Sequence, residues 1–148
     1  MTGRLLPGTD VRVRRGRRRD ADALGRVLGV PFDGRRARVF RRLLADLGND
    51  VYVAEDAGGE LVGMVAVVYR RSLVGGGLAA VLDGVRTRAG AGSLLDGLVA
   101  FAEERARRRG CFRLTACVAP DDAAVRAALV ARGYRAGEAF ATDLGSGA

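Results

Sequence analysis

The residues best suited to chemistry lie between Leu78 and Gly110, where an apolar stretch leads through a glycine-rich turn into a long amphipathic segment. The turn contains Gly90 and Gly92. A strand that feeds such a turn into the start of a helix presents backbone N–H groups without intrahelical partners, and the helix dipole adds partial positive charge there. This combination favours the binding of a phosphate or diphosphate group. The alternative is that the two glycines only turn a tight corner between strand and helix.

One carboxylate, Asp83, interrupts the apolar stretch before the turn. Strand alternation predicts that it shares a face with Val81 and Val85. A carboxylate among apolar neighbours is costly unless it has a partner, and burial makes a carboxylate a stronger base. Asp83 is therefore our candidate general base, acting directly or through water. The alternative is a structural carboxylate that is bonded to neighbouring backbone or to an arginine.

The composition excludes several other chemistries. The 148 residues include no histidine, which removes the commonest general base and metal ligand. Cys111 and Cys117 are six residues apart in or near one predicted strand, too far to form a disulfide with each other and spaced unlike a zinc-binding pair. We therefore expect two free thiols, no metal site and a cytoplasmic protein. An acyl-cysteine role for Cys117 would need an activating neighbour, so a buried thiol is the preferred interpretation.

The elements that must position these residues follow from hydrophobic periodicity. The order β-α-α-β-β-β-α-β-α-β-β predicts one α/β (α+β) domain with a mixed, largely antiparallel twisted sheet and helices on both faces. Asp20 is expected to cap the first helix, and residues 1–9 and 145–148 are expected to be disordered. The main predicted segments are strands at 11–13, 51–55, 60–70, 78–86 and 112–118, helices after Asp20, around 35–47, at 93–109 and after Asp121, and a final hairpin of 134–136 with 139–144.

Basic charge is concentrated in the first third of the chain. The net charge is +8 at pH 7, and residues 1–50 hold 13 arginines against six aspartates. Such a region can steer an anionic partner, such as a nucleotide, an acidic substrate or nucleic acid. The alternative is that these arginines only solvate the surface, since all 25 basic residues of the chain are arginines. No apolar run is long enough to span a membrane.

Two segments carry a resemblance to a known family. The first reads LDGVRT and then RAGAGS from Leu82 to Ser93, and the second reads DDAAVRAALVARGY from Asp121 to Tyr134. With the order of elements, they resemble the GNAT superfamily of acyl-CoA-dependent N-acyltransferases over residues 10–144. Members of that family typically read L-D-G-L-x-V, then R-G-x-G-x-G before an amphipathic helix, and later N-x-x-A, Tyr and Gly-Phe.

The resemblance implies a site. Backbone groups of Val85, Arg86 and Thr87 would bind the pantetheine arm of an acyl-CoA, most often acetyl-CoA. The amine acceptor would enter from the side of the first two helices and residues 71–77, where Tyr69 is the candidate general acid. Asp122 occupies the position of the family's asparagine. The amides that would hold the CoA diphosphate belong to Arg88, Ala89, Gly90, Ala91, Gly92 and Ser93.

The sequence departs from the family's pattern at three places. Leu129 occupies the position of the tyrosine that protonates the departing thiolate in many members, Ala89 replaces the first glycine, and the turn is short. The main hypothesis is therefore an N-acetyltransferase that works by direct attack of an amine, on a small molecule or a protein. A non-catalytic CoA-binding or partner-binding protein of the same fold is the alternative. A basic nucleic-acid-binding module is the third hypothesis, and a homodimer is compatible with all three.

Overall fold

The computed structural model describes residues 3–145. Six strands and four helices follow one another in the order β-β-α-α-β-β-β-α-β-α. Short 3-10 turns at Arg18–Asp20 and Gly92–Leu94 lead into the first and third helices. The strands are β1 (Arg4–Leu5), β2 (Arg12–Arg15), β3 (Asn49–Glu55), β4 (Leu61–Ser72), β5 (Gly77–Thr87) and β6 (Arg113–Ala116), and the helices are α1 (Ala21–Leu28), α2 (Gly34–Ala45), α3 (Leu95–Arg108) and α4 (Ala123–Ala131).

The six strands form one sheet in chain order, from β1 at one edge to β6 at the other. Every neighbouring pair is antiparallel except β5 and β6, which are parallel because α3 carries the chain back across the sheet between them. The nearly continuous apolar run of β4 lies inside the sheet, as the sequence predicts. The predicted mixed, largely antiparallel sheet is confirmed.

Helices cover both faces of this sheet, also as predicted. The larger apolar core lies beneath α3 and α4 and includes Leu98 and Val99, neither of which has any exposed surface. The smaller core lies beneath α1 and α2 and centres on Leu24 and Phe40. The residues expected on the inner face of α3 are buried there: Leu95, Leu98, Val99, Ala102 and Ala106.

The predicted disorder of residues 1–9 is wrong for the part that the structure describes. Arg4 and Leu5 form β1 and pair with Val13 and Arg12 of β2. Leu6 is buried in the core beneath α3, with 3% of its surface exposed. β1 therefore forms one edge of the sheet and Leu6 anchors it in the core, although two strand residues are too few to show a period in the sequence.

The expected hairpin near the C-terminus does not form. Residues 134–145 contain no strand, and Phe140 and Leu144 are almost fully exposed. Small and polar residues surround these two side chains, so the segment offers no continuous apolar face that could repay its ordering. Of the predicted tail 145–148, residues 146–148 lie outside the described residues.

The sequence suggested that Asp20 caps α1, but its side chain makes no capping hydrogen bond to that helix. Its carboxylate instead accepts hydrogen bonds from the Arg14 guanidinium, at 2.8 and 2.9 Å, and from the backbone N–H of Arg17 at 2.7 Å. Burial opposes the charge, but these bonds outweigh it and hold the pKa of Asp20 below its ordinary value. Asp20 therefore links β2 to the start of α1.

Candidate functional site

The candidate site is a groove where β5 and β6 separate. Their parallel pairing runs from Ala79 opposite Arg113 to Leu82 opposite Ala116, and the last bond joins the N–H of Cys117 to the carbonyl of Leu82 at 3.3 Å. Beyond that point the two segments diverge. The opening is continuous with a cavity of about 700 Å³ whose walls come from α1, α2, β4, β5 and the segment after β6. This volume is typical of a small-molecule site.

A β-bulge places Asp83 in this groove. Ala66 pairs with Gly84 and the next residue, Val67, pairs with Leu82, so Asp83 has no partner on β4. The extra residue shifts the alternation, and Leu82 and Val85 both enter the core beneath α3. Asp83 is therefore not on the face of Val85, and it is exposed rather than buried as predicted.

The free edge of β5 lines the opening with backbone groups. The N–H of Arg88 donates to the carbonyl of Val62 in β4 at 2.9 Å. Because backbone groups alternate in direction along a strand, those of Val85 and Thr87 point to the opposite edge, where β6 has already ended. The chain thus presents unpaired strand-edge donors and acceptors at two of the three positions that the family resemblance implied for the pantetheine arm.

The glycine-rich turn follows β5 directly and leaves donors free. The N–H of Arg88 bonds to β4, and the N–H of Ala91 donates to the carbonyl of Arg88 at 2.9 Å. Within residues 3–145, no side chain caps the start of α3 or of the 3-10 turn before it. The remaining turn amides have no hydrogen-bond partner among the described residues; they are those of Ala89, Gly90, Gly92 and Ser93.

The turn also leaves room for an approaching group. Gly90 has a φ of +85°, a conformation that side-chain-bearing residues rarely adopt. A Cβ atom added at Gly90, Gly92 or Gly84 would meet nothing within 4 Å. Asp96 in the first turn of α3 points to α4, where it accepts a hydrogen bond from Arg132 at 3.0 Å. Its charge is thus partly neutralised by a neighbour.

One ion pair flanks the opening, and a second lines a separate pocket between β2, the start of α1 and the turn before β4. Arg86 donates to the Asp122 carboxylate at 2.9 Å, and the other oxygen of Asp122 accepts the N–H of Val125 at the start of α4. Arg88 donates to Glu60 at 2.8 Å, in a pair that is largely exposed. Exposed pairs contribute little and exchange partners readily. Both arginines can therefore turn to an anion that binds at the turn.

The structure places Tyr69 away from the groove, which argues against the predicted general acid. Its ring lies in the core beneath α3, and its hydroxyl donates to the buried Asp50 at 2.8 Å. Burial first, and then this hydrogen bond, raise the pKa of Tyr69. Tyr134 also packs against that core and donates to Glu103 at 3.1 Å. Leu129 is buried in the same core, with 5% of its surface exposed.

Groups that the sequence did not single out for this site also line the groove. Arg35 and Arg36 come from the first turn of α2, and Phe32 precedes them. Cys117 lines the opposite wall with an exposed thiol, so the preferred interpretation of a buried cysteine is wrong at this position. Both cysteines are free. The bulge in β5, which the residue types do not predict, brings Asp83 into the same cavity as these side chains.

Residues 3–145 contain no group of three His, Cys, Asp or Glu side chains that could hold a metal ion. The same part of the chain includes no helix with the length and apolar character needed to cross a bilayer. The groove offers an apolar floor, two carboxylates without an ion-pair partner among the described residues (Asp33 and Asp83), arginines, a thiol and free backbone donors of β5.

Solved structures of other proteins share this architecture. The chain matches an acetyltransferase from Trypanosoma brucei with a TM-score of 0.73 and 19% identity, over 91% of this chain and 100% of that one. It matches an aminoglycoside antibiotic 6'-N-acetyltransferase from Acinetobacter baumannii with a TM-score of 0.73 and 16% identity, over 91% and 99% of the two chains. The chain has the GNAT fold.

A third solved structure shares the GNAT fold at higher identity. It is a transcriptional regulator from Bacillus halodurans, with a TM-score of 0.78 and 26% identity over 90% of this chain and 98% of that one. By contrast, no protein-family model and no curated protein matches the sequence. The likeness is therefore one of fold.

Proposed function

We propose that the protein is an acyl-CoA-dependent N-acetyltransferase that transfers an acetyl group from acetyl-CoA to an amine. One observation carries the proposal: the free amides of the Ala89–Ser93 turn follow directly on the unpaired edge of β5, beside a cavity of about 700 Å³. The free amides suit a diphosphate, the unpaired strand edge suits a peptide-like arm, and the cavity has room for an acceptor. Solved acetyltransferases with this fold support the same activity.

The chemistry of the donor set fits acetyl-CoA. Main-chain N–H groups at a helix start suit the diphosphate, and Arg86 and Arg88 can add charge-assisted bonds to phosphate oxygens. The strand-edge groups of Val85 and Thr87 match the amide groups of a pantetheine arm in the manner of an added strand. When bound, the thioester supplies an activated acyl group.

The residues of the groove then have distinct roles. Asp83 holds the acceptor's ammonium and takes its proton onto a carboxylate oxygen, which leaves the nitrogen free to attack the carbonyl carbon. The backbone N–H of Val85 donates to the carbonyl oxygen as charge develops there. The C–N bond forms as the C–S bond breaks, the nitrogen loses its second proton to solvent as the amide forms, and the leaving sulfur takes a proton from solvent.

Calorimetry with acetyl-CoA and turnover with a panel of primary amines test the proposal. We expect saturable binding and acetylation of at least one amine, and Asp83→Asn should lower kcat by about 10- to 100-fold with little change in acetyl-CoA affinity. Asp10→Asn, a change of the same charge at an exposed residue outside the groove, is the control. Well-folded protein that binds no CoA would contradict the proposal.

A non-catalytic CoA-binding protein is the second candidate, because no tyrosine lines the groove among the described residues. It predicts CoA binding without turnover of any amine. A nucleic-acid-binding module is the third, supported by the basic first third of the chain and by the structural neighbour named as a transcriptional regulator. It predicts DNA or RNA affinity that falls steeply with salt.

A further inference from the structure

A second charged site lies on the face of the sheet opposite the groove. Asp50, near the start of β3, has no exposed surface and shares the α3 side of the sheet with Tyr52 and Tyr69. Three arginines converge on its carboxylate, and we call these four residues the Asp50 cluster: Asp50, Arg15, Arg105 and Arg109.

Within the Asp50 cluster, positive charge exceeds negative charge by two. Arg15 and Arg109 both donate to one carboxylate oxygen, at 3.0 and 3.2 Å. The other oxygen accepts the Tyr69 hydroxyl, and the Arg105 Nε lies 3.9 Å from it, beyond hydrogen-bond distance. One carboxylate therefore faces three guanidinium groups.

The donor capacity of the cluster is not satisfied by the described residues. The Arg105 Nε is buried and has no hydrogen-bond partner among them. The acids on the same helix are engaged elsewhere, because Glu103 binds Arg132 and Glu104 binds Arg4 and Arg108. A buried N–H without an acceptor costs free energy, so Arg105 adds positive charge to the cluster without a compensating hydrogen bond at its Nε from the described residues.

Aromatic rings hold the guanidinium groups in place. Arg15 and Arg105 lie over the Tyr52 ring, at 5.4 and 5.7 Å from its centroid, and Arg109 lies 4.2 Å from the centroid of Tyr69. Stacked arginines lose less side-chain entropy when they bind a ligand. The side chain of Arg15 is 60% exposed and that of Arg109 is 30% exposed, so the cluster is open to solvent.

We propose that the Asp50 cluster is a binding site for a small tetrahedral oxyanion, that is, inorganic phosphate or a phosphate monoester. Planar guanidinium groups bind such oxygens through paired N–H donors. The anion neutralises the excess charge of Arg15, Arg105 and Arg109, while Asp50 and the two rings hold the arginines in position. The site is separate from the groove and does not depend on the proposed acetyltransferase activity.

Calorimetric titration with inorganic phosphate at low ionic strength tests the site. We expect saturable binding in the millimolar range or tighter, and about tenfold weaker binding for Arg15→Ala, since one charge-assisted donor set is lost. Arg15→Lys should recover part of the affinity. Arg113→Ala, at an exposed arginine of β6 without a described ion-pair partner, should bind phosphate as the wild type does.

The glycine-rich turn is the other place where phosphate could bind, so Arg88→Ala is measured in parallel. Weaker phosphate binding in Arg88→Ala with unchanged binding in Arg15→Ala would contradict the proposal, as would the absence of saturable binding to the wild type. A single-stranded oligonucleotide that binds through Arg15 when inorganic phosphate does not would also contradict it. Circular dichroism of each variant checks that the fold is retained.

Discussion

The two faces of the sheet differ in how tightly they are packed. Beneath α3 and α4 the apolar core is continuous, and it includes Leu98 and Val99 without any exposed surface. Beneath α1 and α2 the core is smaller, Val39 remains 52% exposed, and the cavity of about 700 Å³ reaches the sheet. The first face supplies most of the tight apolar packing, and the second leaves a cavity of a size typical of small-molecule sites.

The difference follows from the helices. α3 is 14 residues long and presents apolar residues to the sheet over its whole length. α1 has eight residues, and α2 carries five arginines with only Phe40 buried. A helix with so narrow an apolar face can cover only part of the sheet.

The largest expected effect is a difference between the two faces in the free energy of unfolding that a substitution removes. Leu98→Ala removes a fully buried side chain between α3 and the sheet and should lower the free energy of unfolding by about 3 kcal/mol. Val39→Ala, at a half-exposed position of the groove wall, should cost less than about 1 kcal/mol. Urea denaturation measures both. Equal losses would mean that the faces are equally packed.

The next effect concerns the ligand and not the fold. Gly84→Val adds a side chain to the groove wall where a Cβ meets nothing within 4 Å, so it should weaken acetyl-CoA binding about tenfold or more. The free energy of unfolding should change by less than about 0.5 kcal/mol. Gly137→Val, at an open glycine outside the groove, is the matched control. Unchanged affinity in Gly84→Val would place the ligand elsewhere.

A pH effect should report on the α3 face. Hydrogen bonds from Arg132 hold the pKa of Glu103 below its ordinary value, against the effect of burial, with a further bond from Tyr134. The stabilisation is complete above the unfolded-state pKa, about 4.3, and is lost as the pH falls through the lower folded pKa.

Denaturation between about pH 5 and pH 3 measures this loss. Stability should fall less steeply in Glu103→Gln than in the wild type, whereas Glu138→Gln, at an exposed residue near the C-terminus, should follow the wild type. Identical slopes for the wild type and Glu103→Gln would show that the α3–α4 contact does not depend on this charge.

The smallest effect concerns the ion pair beside the groove. Asp122→Asn keeps an N-cap for α4 but breaks the pair with Arg86, which becomes free for a phosphate. We expect acetyl-CoA affinity to rise about threefold and stability to fall by less than about 1 kcal/mol, because the arginine is half exposed. Calorimetry compares this variant with Asp121→Asn, and weaker binding in Asp122→Asn alone would show that the carboxylate itself contacts the ligand.

Local pattern was enough to predict most of the elements. The apolar run of β4, the glycine-rich turn and the inner face of α3 all lie where the sequence placed them. Their residues are determined by short-range periodicity and by backbone freedom at glycine, both of which can be read from the chain. The predictions were wrong at both ends of the chain. Strand β1 has only two residues, and the segment of the expected final hairpin has no apolar face.

The sequence by itself determined the order of elements from β2 to α4 and four of the six predicted free donors before α3, because these depend on neighbours along the chain. The tertiary structure alone decided which side chains reach the groove. The bulge opposite Ala66 exposes Asp83, and Tyr69 faces Asp50 on the other side of the sheet. The side of the sheet on which a residue lies depends on register, and register is set by pairing between strands that are distant in sequence.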